Sequence, residues 1–223
     1  MLVIKFRIGG LLRFLSHAQT LNVFQRACVR ADLQVQYSRG FNPRPRLSLP
    51  LPRPVGIASD DEILCIRIQK NAGVYGDSIS IKAQNDIMPQ LPQGIELLSV
   101  NIIEANKSFQ PCSAQYILTP GKEYLNEEIK ANIKHLLESE RLDIRRRITK
   151  KKSRIGTRDS IAKNIDVRGF LESIELDQDS IIVECKITPA GSIRVDEILS
   201  LLKLDMEKLA LPIRRTSVKW ECN

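Results

Sequence analysis

A chain of 223 residues, 43% of them hydrophobic, is long enough for one large or two small domains with a proper core. Its 34 Lys and Arg against 26 Asp and Glu leave a net charge of +8, which favours anionic partners: nucleic acid, acidic lipid or phosphorylated ligands. No apolar run approaches the roughly 20 residues of a membrane span, and the opening Met1-Leu2-Val3-Ile4-Lys5-Phe6-Arg7 reads as a strand rather than a secretion signal, so the expected compartment is the cytoplasm.

Residues 2–8 alternate, with Ile4, Phe6 and Ile8 on one side and Lys5 and Arg7 on the other, which predicts a half-buried strand. After Gly9-Gly10, Ser16 followed by Gln19 forms a capping-box pattern and starts a helix whose core face is Leu21, Phe24, Ala27, Cys28 and Ala31. Arg26 and Arg30 point elsewhere on that helix. A short strand, Leu33 to Tyr37, delivers the chain into a proline-rich loop, residues 39–56.

This loop and its entry hold five of the eleven prolines (Pro43, Pro45, Pro50, Pro52, Pro54) and four arginines (Arg39, Arg44, Arg46, Arg53), and residues 37–56 contain no acid. Proline fixes φ and removes a donor, so the stretch is neither a helix nor a central strand but a stiff, extended path. A stiff loop carrying arginines and the aromatics Tyr37 and Phe41 suits an anionic, π-faced ligand; a plain connection with solvated arginines is the competing reading. Glu62 to Gln69 then reads as a strand, residues 77–88 as either a strand extension or a short helix, and Ile95 to Glu104 as a strand. Residues 105–113 are polar, contain Pro111 and read as a linker or crossover.

The second half is expected to repeat the pattern. Ala114 to Leu118 is a strand, Asn126 caps a helix carrying Ile129, Ile133, Leu136 and Leu137, and Ile144 to Thr149 is a strand. Ser180 to Thr188 alternates most cleanly, Arg194 to Lys203 is a helix, and Ile213 to Glu221 closes as a strand. Two β-α-β-β-α-β units give an α+β fold of two tandem ferredoxin-like domains with antiparallel sheets, 1–106 and 107–223. Between Arg141 and Arg158 stand nine Lys or Arg residues and a single acid, Asp143. They open a long basic loop, 145–178, which is either a phosphate-binding segment or a solvated one.

Five cysteines lie far apart with no Cys-x-x-Cys pair, and there are two histidines, so no metal site is expected from this chain alone. His17, at a helix start, is the weak candidate for general acid–base catalysis on RNA; a structural role at the cap is the bland alternative.

Leu12-Arg13-Phe14-Leu15-Ser16-His17, Gln36-Tyr37-Ser38-Arg39-Gly40-Phe41-Asn42-Pro43-Arg44-Pro45-Arg46 and Leu51-Pro52-Arg53-Pro54-Val55-Gly56 together resemble the radical-SAM-linked domain of unknown function. Arg146-Arg147-Ile148-Thr149-Lys150-Lys151, Ile165-Asp166-Val167-Arg168 and Gly191-Ser192-Ile193-Arg194-Val195-Asp196-Glu197 extend the resemblance into the second half, with Val195 standing where that family usually has proline. The resemblance implies a radical SAM protein as partner, often fused or encoded nearby, and presentation of a substrate such as RNA. This chain lacks the Cys-x-x-x-Cys-x-x-Cys of a radical SAM cluster, so no cofactor is expected in it.

The expected function is therefore an RNA-binding accessory module without catalytic activity of its own. A metal-independent ribonuclease using His17 and a protein-docking domain are the alternatives. Expected nucleic-acid contacts are Arg39, Arg44, Arg46, Arg146, Arg147, Lys150 and Lys151, with Tyr37, Phe41 and Asn42 as stacking or pocket residues. Pseudo-symmetric packing of the halves would set both basic loops along one groove.

Overall fold

In a computed structural model, which describes residues 1–69, 77–151 and 158–223, the chain is a mixed α+β protein with a large, mostly antiparallel sheet and four α-helices among the described residues. It divides into two compact units, residues 1–117 with 212–223, and residues 118–211. None of the described helices is long and apolar enough to cross a membrane.

The first unit is built on β1 (Leu2–Ile8), which pairs antiparallel with β3 (Ala58–Ile66) on one side and β4 (Ile95–Ile102) on the other. The short β2 (Leu47–Ser48) pairs antiparallel with one end of β3, and β11 (Leu209–Cys222) pairs parallel with the other end, Arg214 and Arg215 opposite Ala58 and Ser59. The alternation in β1 sends Leu2, Ile4, Phe6 and Ile8 into a core shared with Phe24, Ala27 and Cys28 of α1 (His17–Arg30) and Ala83 and Ile87 of α2 (Asp77–Ile87). Phe6 meets Phe24 edge to face at 4.6 Å between ring centroids. On the opposite face Val3, Ile63 and Cys65 are covered by Ile103, Phe109 and Trp220.

Helix α1 starts where the capping box places it: Ser16 Oγ accepts from the Gln19 N–H, and the Ser16 N–H donates to Gln19 Oε1 at 2.9 Å. The ambiguous stretch near residue 80 is helical. Residues 33–37 form isolated bridges, Val35 with Ile68 and Tyr37 with Pro45, instead of a continuous strand. Pro43 and Pro45 carry no N–H, which breaks the ladder there. The expected linker 105–113 yields its last residues to β5 (Phe109–Pro120), tied to the chain end by paired bonds between Ser108 and Asn223.

The second unit does not repeat the strand order of the first, so the expectation of tandem ferredoxin-like units is met only at the coarser level of a mixed α+β fold. Helix α3 (Glu127–Glu138) is capped by Asn126, whose Oδ1 accepts from the Ile129 N–H at 3.1 Å. The segment expected as an open basic loop is largely strand. β6 (Asp143–Lys151) and β7 (Arg158–Asp166) pair antiparallel as a separate two-stranded ribbon, and β8 (Leu171–Asp177) pairs with β9 (Ser180–Thr188). A short β10 (Gly191–Ser192) on β9 leads into α4 (Val195–Leu201).

Burial pushes the Cys28 and Cys185 thiols up to about 12 and the Cys65 thiol to about 11, so these buried cysteines are protonated and unreactive at neutral pH.

Candidate functional site

The proline-rich stretch of the first unit opens as a narrow excursion. The Gln36 N–H donates to the Arg67 carbonyl, the Arg46 N–H to the Gln36 carbonyl, and the Ser38 N–H to the Arg44 carbonyl, each at 2.7–2.8 Å. Ser38 Oγ accepts from the Arg44 N–H at 2.9 Å and closes the neck. Residues 39–43 are thus displayed at a tip whose entry and exit are hydrogen-bonded. The ring-fixed φ of Pro43 restrains that tip, and Gly40, at φ +150°, adopts a turn conformation that other residues rarely reach.

Phe41 is fully exposed (101%) and Tyr37 half exposed (50%), and the exposed Arg39, Asn42, Arg44 and Arg46 lie beside them. No carboxylate occurs between residues 33 and 59. Placing a Phe side chain wholly in water forgoes the roughly 1.5–3 kcal/mol that burial would supply. The tip is an amphipathic surface of arginine forks and aromatic faces, which is what stacked bases and phosphates require.

Farther along, the loop turns inward and Arg53 becomes structural. Its guanidinium donates to the carbonyls of Arg13 at 2.6 Å, Leu15 at 3.0 Å and Ile57, so it binds residues 51–57 to residues 12–15. Burial lowers its pKa from the ordinary arginine value, opposed by the nearby Glu62. The sequence stretches 12–17 and 51–56 thereby meet through one buried side chain.

Beneath Arg53 is a small cavity of about 10 Å³, lined by Phe6, His17, Thr20, Leu49, Leu51, Arg53 and Glu62. It is about the size of one water molecule. His17 Nδ1 is buried and finds no hydrogen-bond partner among the described residues. Glu62 in turn pairs with Arg215, which is fully buried and also contacts Ser59 and Tyr116. Sequence reasoning named His17 and read Glu62 as the start of a strand, but missed its burial and its pairing with Arg215. An arginine in a strand ordinarily reads as solvent-facing, and nothing in the local pattern marks this one as buried.

In the second unit Arg146 donates from Nε and Nη2 to both Glu197 oxygens, at 2.7 and 2.6 Å, and from Nη2 to the Ser192 carbonyl at 3.1 Å. The pairing occupies the bidentate fork that a phosphate would use. Arg147 is exposed on the same strand, while the side chains of Lys150 and Lys151 lie outside the described residues. Arg168 donates to the carbonyls of Leu137, Ser139 and Leu171, each at 2.9 Å, and ties the end of α3 to the start of β8.

Burial alone would raise the Glu197 carboxyl, but Arg146 and the Arg194 N–H together hold it below the usual range. A carboxyl depressed by folding contributes stability that is fully present above its unfolded value of about 4.3 and is lost as pH falls through the folded value. The stability gap between wild type and Arg146→Met is therefore expected to be constant from neutrality to about pH 5 and to close as pH falls below about 4. Urea unfolding at stepped pH checks it; a gap that widens in acid would contradict the pairing.

Among the described residues, no group of three His, Cys, Asp or Glu side chains comes together as a metal site. No curated protein matches the chain. A family model described as an uncharacterized protein conserved in bacteria (DUF2344) matches residues 1–195, and the chain belongs to that family.

Proposed function

We propose that this protein is a cytoplasmic RNA-binding accessory module whose contact surface is the excursion at residues 36–46. The observation that carries the reading is the exposed Phe41 held at a stiff tip among Arg39, Arg44 and Arg46 in a stretch of sequence without acids. Single-stranded RNA supplies both complements at once, phosphates for the arginine forks and bases for the rings. The strand order β4-β1-β3, with β2 on the edge of β3, supports reading the first unit as a ferredoxin-like platform for this excursion. Arg147, Lys150 and Lys151 are proposed as sequence-independent phosphate contacts of the second unit. The recipient of the bound RNA is proposed to be a radical SAM protein, a partner drawn from the sequence resemblance alone; co-purification by wild type and by a variant with only the exposed tip, residues 39–43, replaced tests that partnership, the clamp of Arg53 being left intact.

Phe41→Ala tests the reading without touching charge or core. Stacking on one aromatic ring contributes roughly 1–3 kcal/mol per base, so the variant should bind a fluorescent oligouridine about five- to 150-fold more weakly. Its melting temperature should be unchanged, because the ring buries nothing. Equal affinity of variant and wild type would contradict the role of the tip.

A further inference from the structure

Next to the excursion, and still within the first unit, is an open groove of about 440 Å³. Its rim carries Arg46, Arg67 and Lys107 with the hydroxyls of Ser48 and Ser108, and Phe109 lies in its wall; none of its lining residues is a carboxylate. The volume falls within the roughly 300–1,000 Å³ typical of small-ligand sites.

Four chain segments distant in sequence build it: Met1 and residues 46–50, 65–67 and 107–109. The Arg67 N–H donates to the Arg46 carbonyl at 2.9 Å, which sets those two arginines on neighbouring stretches of chain. Arg67 also donates from Nη1 to the Ala105 carbonyl, fixing its guanidinium at the rim. A guanidinium carries five N–H donors, so this anchor does not exhaust it. The Lys107 N–H donates to the Glu104 carbonyl, closing a turn that presents Lys107 beside Phe109. Cys65, in the groove floor, stays neutral because burial raises its thiol to about 11, so it does not repel an anion.

We infer that this groove is a nucleotide subsite, in which Arg46, Arg67 and Lys107 hold a phosphate while Phe109 offers an apolar face to the attached base. Arg46 belongs to both surfaces, so a strand stacked on Phe41 continues into the groove. The inference rests on the RNA-binding reading and deepens it, because it adds a site for one nucleotide to a surface that otherwise recognises only backbone and stacking.

The test uses the full chain, uridine 5′-monophosphate and a fluorescent oligouridine of about eight nucleotides. Lys107→Glu, on a turn, should abolish saturation-transfer signals from the mononucleotide and weaken the oligomer about tenfold, as expected when one charge-assisted phosphate bond is removed. Arg67→Gln, as a second variant, should weaken the oligomer by a similar factor. Phe41→Ala should keep the mononucleotide signal while losing oligomer affinity. If the oligomer binds wild type, but Lys107→Glu and Arg67→Gln bind it equally well, the groove inference is overturned while the excursion stands. A mononucleotide signal unchanged in Lys107→Glu also overturns it. If the oligomer binds neither wild type nor variants, the RNA-binding reading fails and takes the groove with it.

Discussion

Replacing Arg215 with Met should lower the melting temperature by roughly 6–20 °C, from about 3–5 kcal/mol lost when a buried ion pair loses one partner and about 2–4 °C per kcal/mol for a chain of this size. The basis is geometric. Arg215 is 0% exposed on β11, and Glu62, 3% exposed on β3, accepts from its Nη2. Burial would pull the Arg215 guanidinium down, but Glu62 and Tyr116 hold it above its ordinary value, so it is charged in the folded state. Without it Glu62 is left buried without its partner. Arg53 cannot take over the bond, because its guanidinium is committed to the carbonyls of Arg13, Leu15 and Ile57. Glu62→Gln should cost at least as much, since two guanidiniums then share one buried region without a carboxylate. The double change Glu62→Gln/Arg215→Met should recover a substantial part of the loss, because a pair removed together leaves no orphaned charge. Thermal unfolding followed by circular dichroism decides it; a fall under about 2 °C for Arg215→Met would mean the pair is not holding β11 against β3.

The second large effect is on binding. Arg44→Glu with Arg46→Glu should weaken single-stranded RNA roughly thirtyfold or more, taking about 1 kcal/mol net for each arginine–phosphate hydrogen bond removed. The matched control is Arg26→Glu with Arg30→Glu, which makes the same change in net charge on α1. If affinity followed only the overall +8 charge, both pairs would act alike. Local recognition predicts that the excursion pair costs at least several times more. Pro43 and Pro45 flank Arg44, so little backbone freedom is lost when these arginines engage.

Where the sequence was legible, the information was local. Ser16 and Gln19 announce the start of α1, Asn126 announces α3, and the strict alternation of Ile181, Val183 and Cys185 announces β9. Strand β7 was missed because residues 158–166 are mostly polar. Its ladder is a two-stranded ribbon that imposes little apolar alternation. The parallel pairing of Arg214 and Arg215 with Ala58 and Ser59 joins residues more than 150 positions apart, and no local pattern encodes it.

The same division runs through the candidate site. The exposed Tyr37, Phe41 and their neighbouring arginines stand out by composition alone. The clamp of Arg53 on residues 12–15 and the burial of Glu62 with Arg215 depend on the folded chain. The groove of Arg46, Arg67 and Lys107 does too, because its walls come from four separate segments. Arg146, which composition placed with the phosphate contacts, is engaged by Glu197, a partner 51 positions away.

The most direct test of the central claim is a salt titration of oligouridine binding by wild type and by Arg44→Glu/Arg46→Glu. For single strands, log K falls with log salt at about 0.7 per neutralised phosphate, so removing two such arginines should flatten the slope by about 1.4 or more. A steep wild-type slope that flattens in this variant, but not in Arg26→Glu/Arg30→Glu, is the predicted result. Parallel slopes in all three proteins, or no binding by wild type at low salt, would contradict the assignment of the excursion as an RNA contact.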